Sequence, residues 1–487
     1  MAGVTETATR RAPLARVADH QVEIWRRPLA WMRRHGIALV IVLLACAIGQ
    51  AVTLAQTPHI VVDHDGPSYL LVAHAILTHH QFLDATRTPG YPILLALIFS
   101  VTGEGNLRAV TYVQAALVVI AALEIYPLVY LLTRRRWVAC VLAALVGANL
   151  YILDWERLVR DETLSFLILV TLFLLLAMYV RTERTLFLGV LTIVFLAAIF
   201  TRPALVLLPG ILLALLALRS QRLARLRIQW RGLLLSLVVT YGLVGGYMVV
   251  NAATFGFFGM TKVMNINLFG KVLEYRMQNE SSAPQYAQLR ADADQYVRTV
   301  SPLGSTGPLS PYAFVNGTWR TPPDYEYSRA EYTLVGAYSK DIILHHPIQY
   351  ALDSVPDILA SWNAQPTLYY ARYSVTSTWI YRLLELSRTE LLAYLLLPVA
   401  LVLLTVAVWR APREAGAFVL WVMMIAAAAT VIVNGVAGYD EFYRLRVPLD
   451  WALIVTVGIL VIDALALMYA KMRPTLMDQL NSLRARL

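Results

Sequence analysis

Runs of about 20 consecutive apolar residues recur along this chain, and they limit its possible folds more than any other feature. A helix of that length crosses the hydrocarbon core of a bilayer. Of the 487 residues, 58% are hydrophobic and 15% are charged, and the mean hydropathy is +0.59, far from the composition of a soluble domain. The sequence therefore predicts an all-α polytopic membrane protein. The predicted spans lie at approximately 37–56, 107–132, 137–153, 162–180, 186–200, 203–218, 232–252, 390–409, 415–435 and 449–470.

Basic clusters between the spans decide the predicted orientation, because short loops rich in Lys and Arg stay in the cytoplasm. All the strong clusters fall on one side if the apolar segment 88–102 does not cross. This segment contains about 15 residues, has two prolines near its start and ends in a polar stretch, features typical of an interfacial or re-entrant segment. An eleventh span at 88–102 is the alternative. The clusters are Arg134–Arg136, Arg181–Arg184, Arg219–Arg231, Arg410–Arg413 and the tail from Lys471.

This orientation divides the chain into cytoplasmic, membrane and outer parts. The formal net charge of +10 resides in the short juxtamembrane clusters, which argues against nucleic-acid binding. The predicted parts are a basic cytoplasmic arm at 1–36, a transmembrane catalytic module at 37–252 with its first outer loop at 57–106, a large outer loop domain at 253–389, C-terminal spans at 390–470 and a cytoplasmic tail at 471–487. Shorter outer loops are expected at 154–161, 201–203 and 436–448.

Acidic residues are scarce, so their positions are informative. Asp63 and Asp65 follow the first span, whereas Asp161 and Glu162 lie in the loop before the fourth. Both clusters face the same predicted compartment, where a pair of carboxylates can serve acid–base chemistry. A simpler interpretation stays open, since interfacial carboxylates are commonly solvated or favour the N-terminus of the helix that follows.

The segment VVDHDGPSY (61–69) leads into an apolar pattern at helical spacing, typical of an amphipathic interfacial helix, and then into RTPGYP (87–92). This arrangement resembles the GT-C type membrane glycosyltransferases, in particular the group of protein O-mannosyltransferases and lipid A aminoarabinose transferases (glycosyltransferase family 39-like). In that group an Asp stands four residues before a Tyr, as Asp65 stands before Tyr69. The family commonly has Glu directly after the Asp, where this chain has Gly66. Further similar segments are 103–117, 160–174, 201–210, 251–271 and 439–451.

The resemblance implies a GT-C-like helical bundle with interfacial helices and an extracytoplasmic loop domain. It also implies transfer of a sugar from a polyprenyl-phosphate donor to an acceptor hydroxyl of a lipid, glycan or protein. A hydroxyl needs a general base, for which we expect Asp65, and the departing phosphate needs cations. The remaining candidates are Glu162 and Asp63 as supporting carboxylates, Arg202, Arg444, Arg446 and Arg87 for the donor phosphate, and Tyr69, Tyr91 and Asp161 for substrate binding.

A metal site is not assigned, although a divalent metal stays open. Asp63, His64 and Asp65 offer suitable donors with His74 nearby, but their spacing does not give the i, i+4 face of a helical zinc site. We expect an integral protein of a bacterial plasma membrane, with its active site on the extracytoplasmic side. The rival function is a transporter or flippase of lipid-linked sugars, for which inverted repeats and charges at the membrane midplane would be expected. A non-catalytic scaffold would leave the paired acidic loops unexplained.

Overall fold

Helices form the regular elements in the part of the chain that the computed structural model describes. That part comprises residues 28–56, 59–63, 65–222, 226–300, 309–315, 329–363, 396–439 and 442–484. Up to residue 255 the helices are α1 (Pro28–Gln56), α2 (Gly66–His79), α3 (Gly90–Thr102), α4 (Leu107–Thr133), α5 (Arg136–Gly147), α6 (Leu150–Asp154), α7 (Glu162–Thr182), α8 (Thr185–Thr201), α9 (Leu208–Arg222) and α10 (Leu226–Phe255). Beyond it they are α11 (Val263–Glu274), α12 (Ala287–Val300), α13 (Pro311–Val315), α14 (Arg329–His345), α15 (Pro347–Asp353), α16 (Val355–Asn363), α17 (Leu397–Arg410), α18 (Ala415–Ala437) and α19 (Phe442–Arg484).

Eight helical stretches of the described residues are long and apolar enough to cross a bilayer, and each coincides with a predicted span. The other two predicted spans fall on shorter apolar helices, α8 with 17 residues and α17 with 14. The prediction of an all-α polytopic membrane protein is confirmed. Helix α3 has 13 residues. At ~1.5 Å per residue it is shorter than a hydrocarbon core of ~30 Å, as are α8 and α17, so the expectation that 88–102 does not cross stays a prediction.

Close helix contacts in the bundle depend on small residues. Helix α4 packs against α1, α5 and α7, and α7 also packs against α8, α18 and α19. A Cβ on Gly147 of α5 would lie 2.5 Å from the Cys46 sulfur of α1 and 3.0 Å from the Ala122 side chain of α4. Because lipid tails are as apolar as the side chains, such close approach, through van der Waals contact, is what favours helix association in a membrane.

The predicted large outer loop contains a second, smaller core. Helices α11, α12 and α14 enclose it with side chains that include Phe269, Tyr296 and Tyr338. Helices α14, α15 and α16 follow one another in the second half of this loop. Helix α16 packs against α18 and α19. The loop helices are therefore connected to the membrane helices by direct packing as well as by the chain.

The predicted outer loops meet at one end of the bundle, and basic clusters lie at the other. At the first end Val61 and Leu158 form an isolated parallel β-bridge, which joins the first two outer loops. At the opposite end Arg135 pairs with Asp463 at 2.5 Å. The loop pairing expected from the distribution of charge is thus present, while the side of the membrane that each end faces stays a prediction.

Candidate active site

The β-bridge places the two acidic loops side by side. The Val61 amide donates to the Arg157 carbonyl at 2.7 Å, and the Val159 amide donates to the Val61 carbonyl at 3.1 Å. Just beyond the bridge, the buried Asp63 and Arg160 form an ion pair between the loops. Residues that are about a hundred positions apart in the sequence are thereby fixed within one site.

Asp65 pairs with Arg87, the cation of the RTPGYP segment. A guanidinium nitrogen of Arg87 lies 2.5 Å from Asp65 Oδ1, and Arg87 Nε donates to Ser68 Oγ at 2.7 Å. The guanidinium carbon, Cζ, lies 4.3 Å from the Tyr69 ring centroid. The backbone amide of Arg87 donates to Asp84 Oδ1 at 2.9 Å, which fixes the turn that carries it. Arg108, the next arginine along the chain, lies elsewhere and contacts Tyr112 on α4.

The departure from the family pattern at Gly66 has a steric explanation. Gly66 is the first residue of α2, directly after Asp65. A Cβ at this position would lie 2.8 Å from Val62 Cγ1 and 3.5 Å from Val159 Cβ. The glycine thus allows the helix that follows Asp65 to approach the second acidic loop, and a Glu in its place would require Val62 to move.

The second acidic loop surrounds Arg202. The guanidinium lies 4.0 Å from Asp161 Oδ2 and 3.8 Å from Glu162 Oε1, and all three side chains are buried. The Tyr69 hydroxyl donates to Asp161 Oδ1 at 3.2 Å and accepts from Arg87 at 3.4 Å. The structure therefore brings Asp65, Tyr69, Arg87, Asp161, Glu162 and Arg202 into one network of contacts. Tyr69 connects Arg87, the partner of Asp65, with Asp161 of the second acidic loop.

Tyr91 supports Tyr69 from beneath. Their rings meet edge to face with centroids 5.0 Å apart, and the Tyr91 hydroxyl donates to Gln114 Oε1 at 2.7 Å. Burial raises the pKa of Tyr91 well above its usual range, so this phenol stays neutral. Both contacts of Tyr91 are internal to the protein, and its predicted role in substrate binding stays a prediction.

Arg446 lies against other partners. Its Nε donates to Asp450 Oδ1 at 2.9 Å, and its NH1 donates to the Trp362 carbonyl at 2.6 Å. These contacts attach α19 to the end of α16, and the donor-phosphate role predicted for Arg446 stays a prediction. The side chain of Arg444 lies outside the described residues, as does His64.

Sequence analysis assigned no role to four buried polar groups at this end of the bundle. Arg160 pairs with Asp63, and the Glu156–Arg157 pair is completed by Gln50, whose amide donates to Glu156 Oε2 at 2.6 Å. The fourth group, Lys262, is buried with its ammonium 5.3 Å from the Phe257 ring centroid, and its amide donates to the Ala85 carbonyl beside Arg87. The alternation of acidic and basic residues in WERLVRDE (155–162) could have indicated ion pairs in this loop.

The candidate metal donors do not come together in the part of the chain that the structure describes. In that part no group of three or more His, Cys, Asp or Glu side chains could hold a metal ion. His74, one of the predicted donors, pairs instead with Glu104. No metal is assigned on this geometry.

Comparison with known proteins confirms the resemblance to the GT-C glycosyltransferases. Residues 86–244 match the family model of dolichyl-phosphate-mannose-protein mannosyltransferases. The match covers about a third of the chain, including Arg87, Tyr91 and the whole second acidic loop. It indicates a glycosyltransferase. No curated protein sequence matches the chain.

A structural comparison gives a weak overall likeness. The archaeal oligosaccharyltransferase AglB from Archaeoglobus fulgidus, in complex with an inhibitory peptide and a dolichol-phosphate, has a TM-score of 0.48 and 13% sequence identity with this chain. The similarity covers 91% of this chain and 52% of that one, so the chain spans about half the length of AglB.

Proposed function

We propose that the protein is an integral membrane glycosyltransferase that moves a sugar from a polyprenyl-phosphate donor to an acceptor hydroxyl on the extracytoplasmic face, with Asp65 as general base. The observation that carries this assignment is the solvent exposure of the carboxylate side chains. The side chain of Asp65 is 26% exposed, whereas those of Asp63, Asp161 and Glu162 are 3%, 6% and 1% exposed. Among these four carboxylates, Asp65 is therefore the one accessible to an acceptor.

The reaction makes two demands on the site. The base removes the proton of the acceptor hydroxyl as its oxygen forms a bond to the anomeric carbon, while the bond from that carbon to the phosphate oxygen breaks. The phosphate departs with its negative charge, so it requires cations more than a proton donor. Arg87 lies against Asp65, where its charge serves both the position of the base and the departing phosphate.

The buried carboxylates have a supporting role in this proposal. Asp161 accepts from Tyr69 and lies near Arg202, and Asp63 pairs with Arg160. A buried charge requires such partners, since an unpaired one is strongly unfavourable. These pairs fix the two loops on either side of Asp65, and Glu162 acts through Arg202 as a positioning residue.

Sugar transfer by Asp65→Asn protein tests the proposal. Wild type and variant are reconstituted in proteoliposomes at matched amounts and assayed with a panel of polyprenyl-phosphate sugars. Loss of a general base is expected to lower the rate by about 10²- to 10⁴-fold. Asp463→Asn, which removes an exposed ion-paired carboxylate at the other end of the bundle, is the matched control and should retain the wild-type rate.

Two outcomes contradict parts of the proposal. An Asp65→Asn protein that transfers sugar at the wild-type rate keeps the enzyme class but excludes Asp65 as the base. Wild-type protein that transfers from no donor, yet moves labelled lipid-linked sugar across the bilayer, is a flippase.

A further inference from the structure

The Arg157 side chain is buried, yet its guanidinium makes no hydrogen bond with the residues that the structure describes. The side chain is 2% exposed, and within the described residues Nε, NH1 and NH2 all lack a hydrogen-bond acceptor. An arginine carries five N–H donors, and buried polar groups are nearly always satisfied in folded proteins. The Glu156 carboxylate, with Oε1 3.2 Å from NH2, balances the positive charge of Arg157 but accepts no hydrogen bond from these donors.

The surroundings of Arg157 are fixed, so a loose loop does not explain the unsatisfied donors. Gln50 of α1 holds the Glu156 carboxylate. Gln114 of α4 donates to the carbonyls of Glu156 and Leu158 at 2.7 and 2.9 Å. The Arg157 carbonyl itself accepts from the bridge residue Val61. The backbone around Arg157 and the Glu156 carboxylate are thus fixed by hydrogen bonds from α1, α4 and the first outer loop.

The carboxylate contacts of the other arginines of the site vary. Arg87 has a close carboxylate in Asp65 and Arg160 has one in Asp63, while Arg202 lies 4.0 Å from Asp161 and 3.8 Å from Glu162. Arg157 differs from them because all three of its guanidinium nitrogens lack an acceptor among the described residues, which leaves them available for an additional one. A planar guanidinium with free donors matches the oxygens of a phosphate, often through two parallel hydrogen bonds.

The depth of Arg157 favours a lipid phosphate over a soluble one. It is the last residue of the candidate span Arg136–Arg157. A lipid phosphate lies where an apolar span ends and the interface begins. The bridge at Val61 also places Arg157 beside the loop segment that contains Asp63 and Asp65. We propose that Arg157 binds the phosphate of the polyprenyl-phosphate donor, an inference that rests on the proposed function.

Binding of polyprenyl phosphate to the full chain tests this role without requiring sugar transfer. The protein is placed in nanodiscs of zwitterionic phosphatidylcholine, and its tryptophan fluorescence is followed during titration with polyprenyl phosphate. Loss of charge-assisted hydrogen bonds in Arg157→Met is expected to raise Kd by about 10- to 100-fold. Arg157→Lys, which keeps the charge but not the planar donors, should give an intermediate Kd. Arg135→Met, at the opposite end of the bundle, should bind as wild type does.

The source of the phosphate is tested in the same nanodiscs. Phosphatidylglycerol or inorganic phosphate, added at the concentration at which polyprenyl phosphate saturates, should leave its Kd unchanged. If either competes with equal strength, the site takes phosphate groups in general and the proposal is overturned. If Arg157→Met does not fold, as judged by gel filtration and thermal unfolding, Arg157→Lys decides alone.

Failure of this inference differs from failure of the proposed function. Unchanged Kd values in Arg157→Met and Arg157→Lys, with normal sugar transfer by the wild type, remove Arg157 from the donor site and leave the enzyme class intact. Wild-type protein that neither binds polyprenyl phosphate nor transfers sugar overturns both.

Discussion

At the scale of single residues, the environment of each charge distinguishes candidates of the same chemical type. Asp65 is partly exposed and fixed by Arg87, while Asp63, Asp161 and Glu162 are buried beside Arg160 and Arg202. Arg87 contacts Asp65, Ser68 and Tyr69 at once, which requires the planar, branched donors of a guanidinium. An ammonium group cannot reach all three in the same geometry.

We therefore expect Arg87→Lys to lower turnover at saturating donor by about tenfold or more, the loss expected when a charge-assisted hydrogen bond of about 1.5–3 kcal/mol is removed. Initial rates of sugar transfer measure the effect. Arg108→Lys changes an exposed arginine that contacts Tyr112 on α4, and it should leave the rate within a factor of two, roughly, of wild type. Equal rates for both variants would exclude a role for Arg87 in fixing Asp65.

Sequence analysis predicted part of this site. Asp65 and Tyr69 belong to the segment 61–69 and Arg87 to RTPGYP (87–92) of the same predicted loop, so their proximity could be expected from the chain itself. The pairing of Asp63 with Arg160 could not, because it depends on the register between two loops. Arg446 and Asp450 stand four residues apart on a helix, and this spacing predicts their ion pair. That signal was available, and it favours a structural contact over the donor-phosphate role predicted for Arg446.

At the scale of helices, the contact between α3 and α8 controls the relative positions of Arg87 and Arg202. Arg87 lies just before α3, and Arg202 directly follows α8. A Cβ on Gly90, the first residue of α3, would lie 2.7 Å from both the Phe200 carbonyl oxygen and the Thr201 Cα. These are backbone atoms, which cannot rotate away as a side chain can.

Gly90→Ala is accordingly expected to force α3 away from α8, lower the midpoint of thermal unfolding and reduce sugar transfer. Overpacking of this kind costs about 1–3 kcal/mol. Gly189→Ala, on α8 itself, places its methyl group where no heavy atom lies within 4 Å, and it should leave both properties unchanged. An unaltered unfolding midpoint in Gly90→Ala would contradict the proposed contact.

The helices themselves were largely predictable from apolar runs, whereas their ends were less so. Within the described residues, helix α1 extends as far back as Pro28, well before the apolar run predicted from residue 37. Helix α19 continues to Arg484, beyond the predicted end at 470. Hydropathy detects the part of a helix inside the bilayer, but it does not detect a helix that continues into water.

At the scale of the whole molecule, a buried ion pair helps to attach the large outer loop. Lys271 on α11 pairs with Asp357 on α16, and the Tyr275 hydroxyl donates to the same carboxylate at 2.5 Å. Burial and this hydrogen bond raise the pKa of Tyr275, so the phenol remains a donor at neutral pH. Since α16 packs against α18 and α19, the pair connects the loop core with the membrane helices.

Lys271→Met should destabilise the protein by about 3–5 kcal/mol, because it leaves Asp357 buried without its cation. Thermal unfolding in detergent measures the loss, and Lys271→Met/Asp357→Leu should recover part of it. The control Arg298→Met removes an exposed cation that pairs with Asp294 four residues earlier, and its effect should stay below about 0.5 kcal/mol. Equal effects of the two single variants would show that the buried pair contributes little.

The bridge at Val61 also limits how an acceptor can enter. Two main-chain hydrogen bonds close the first loop onto the second, and the contact of Tyr69 with Asp161 closes them again at the start of α2. A broad folded surface would have to separate the loops and break these contacts, together with the Asp63–Arg160 ion pair, before its hydroxyl reached Asp65. A narrow substrate, such as an extended peptide segment or the end of a glycan, need break none. We therefore expect the protein to modify protruding groups and to leave flat surfaces untouched.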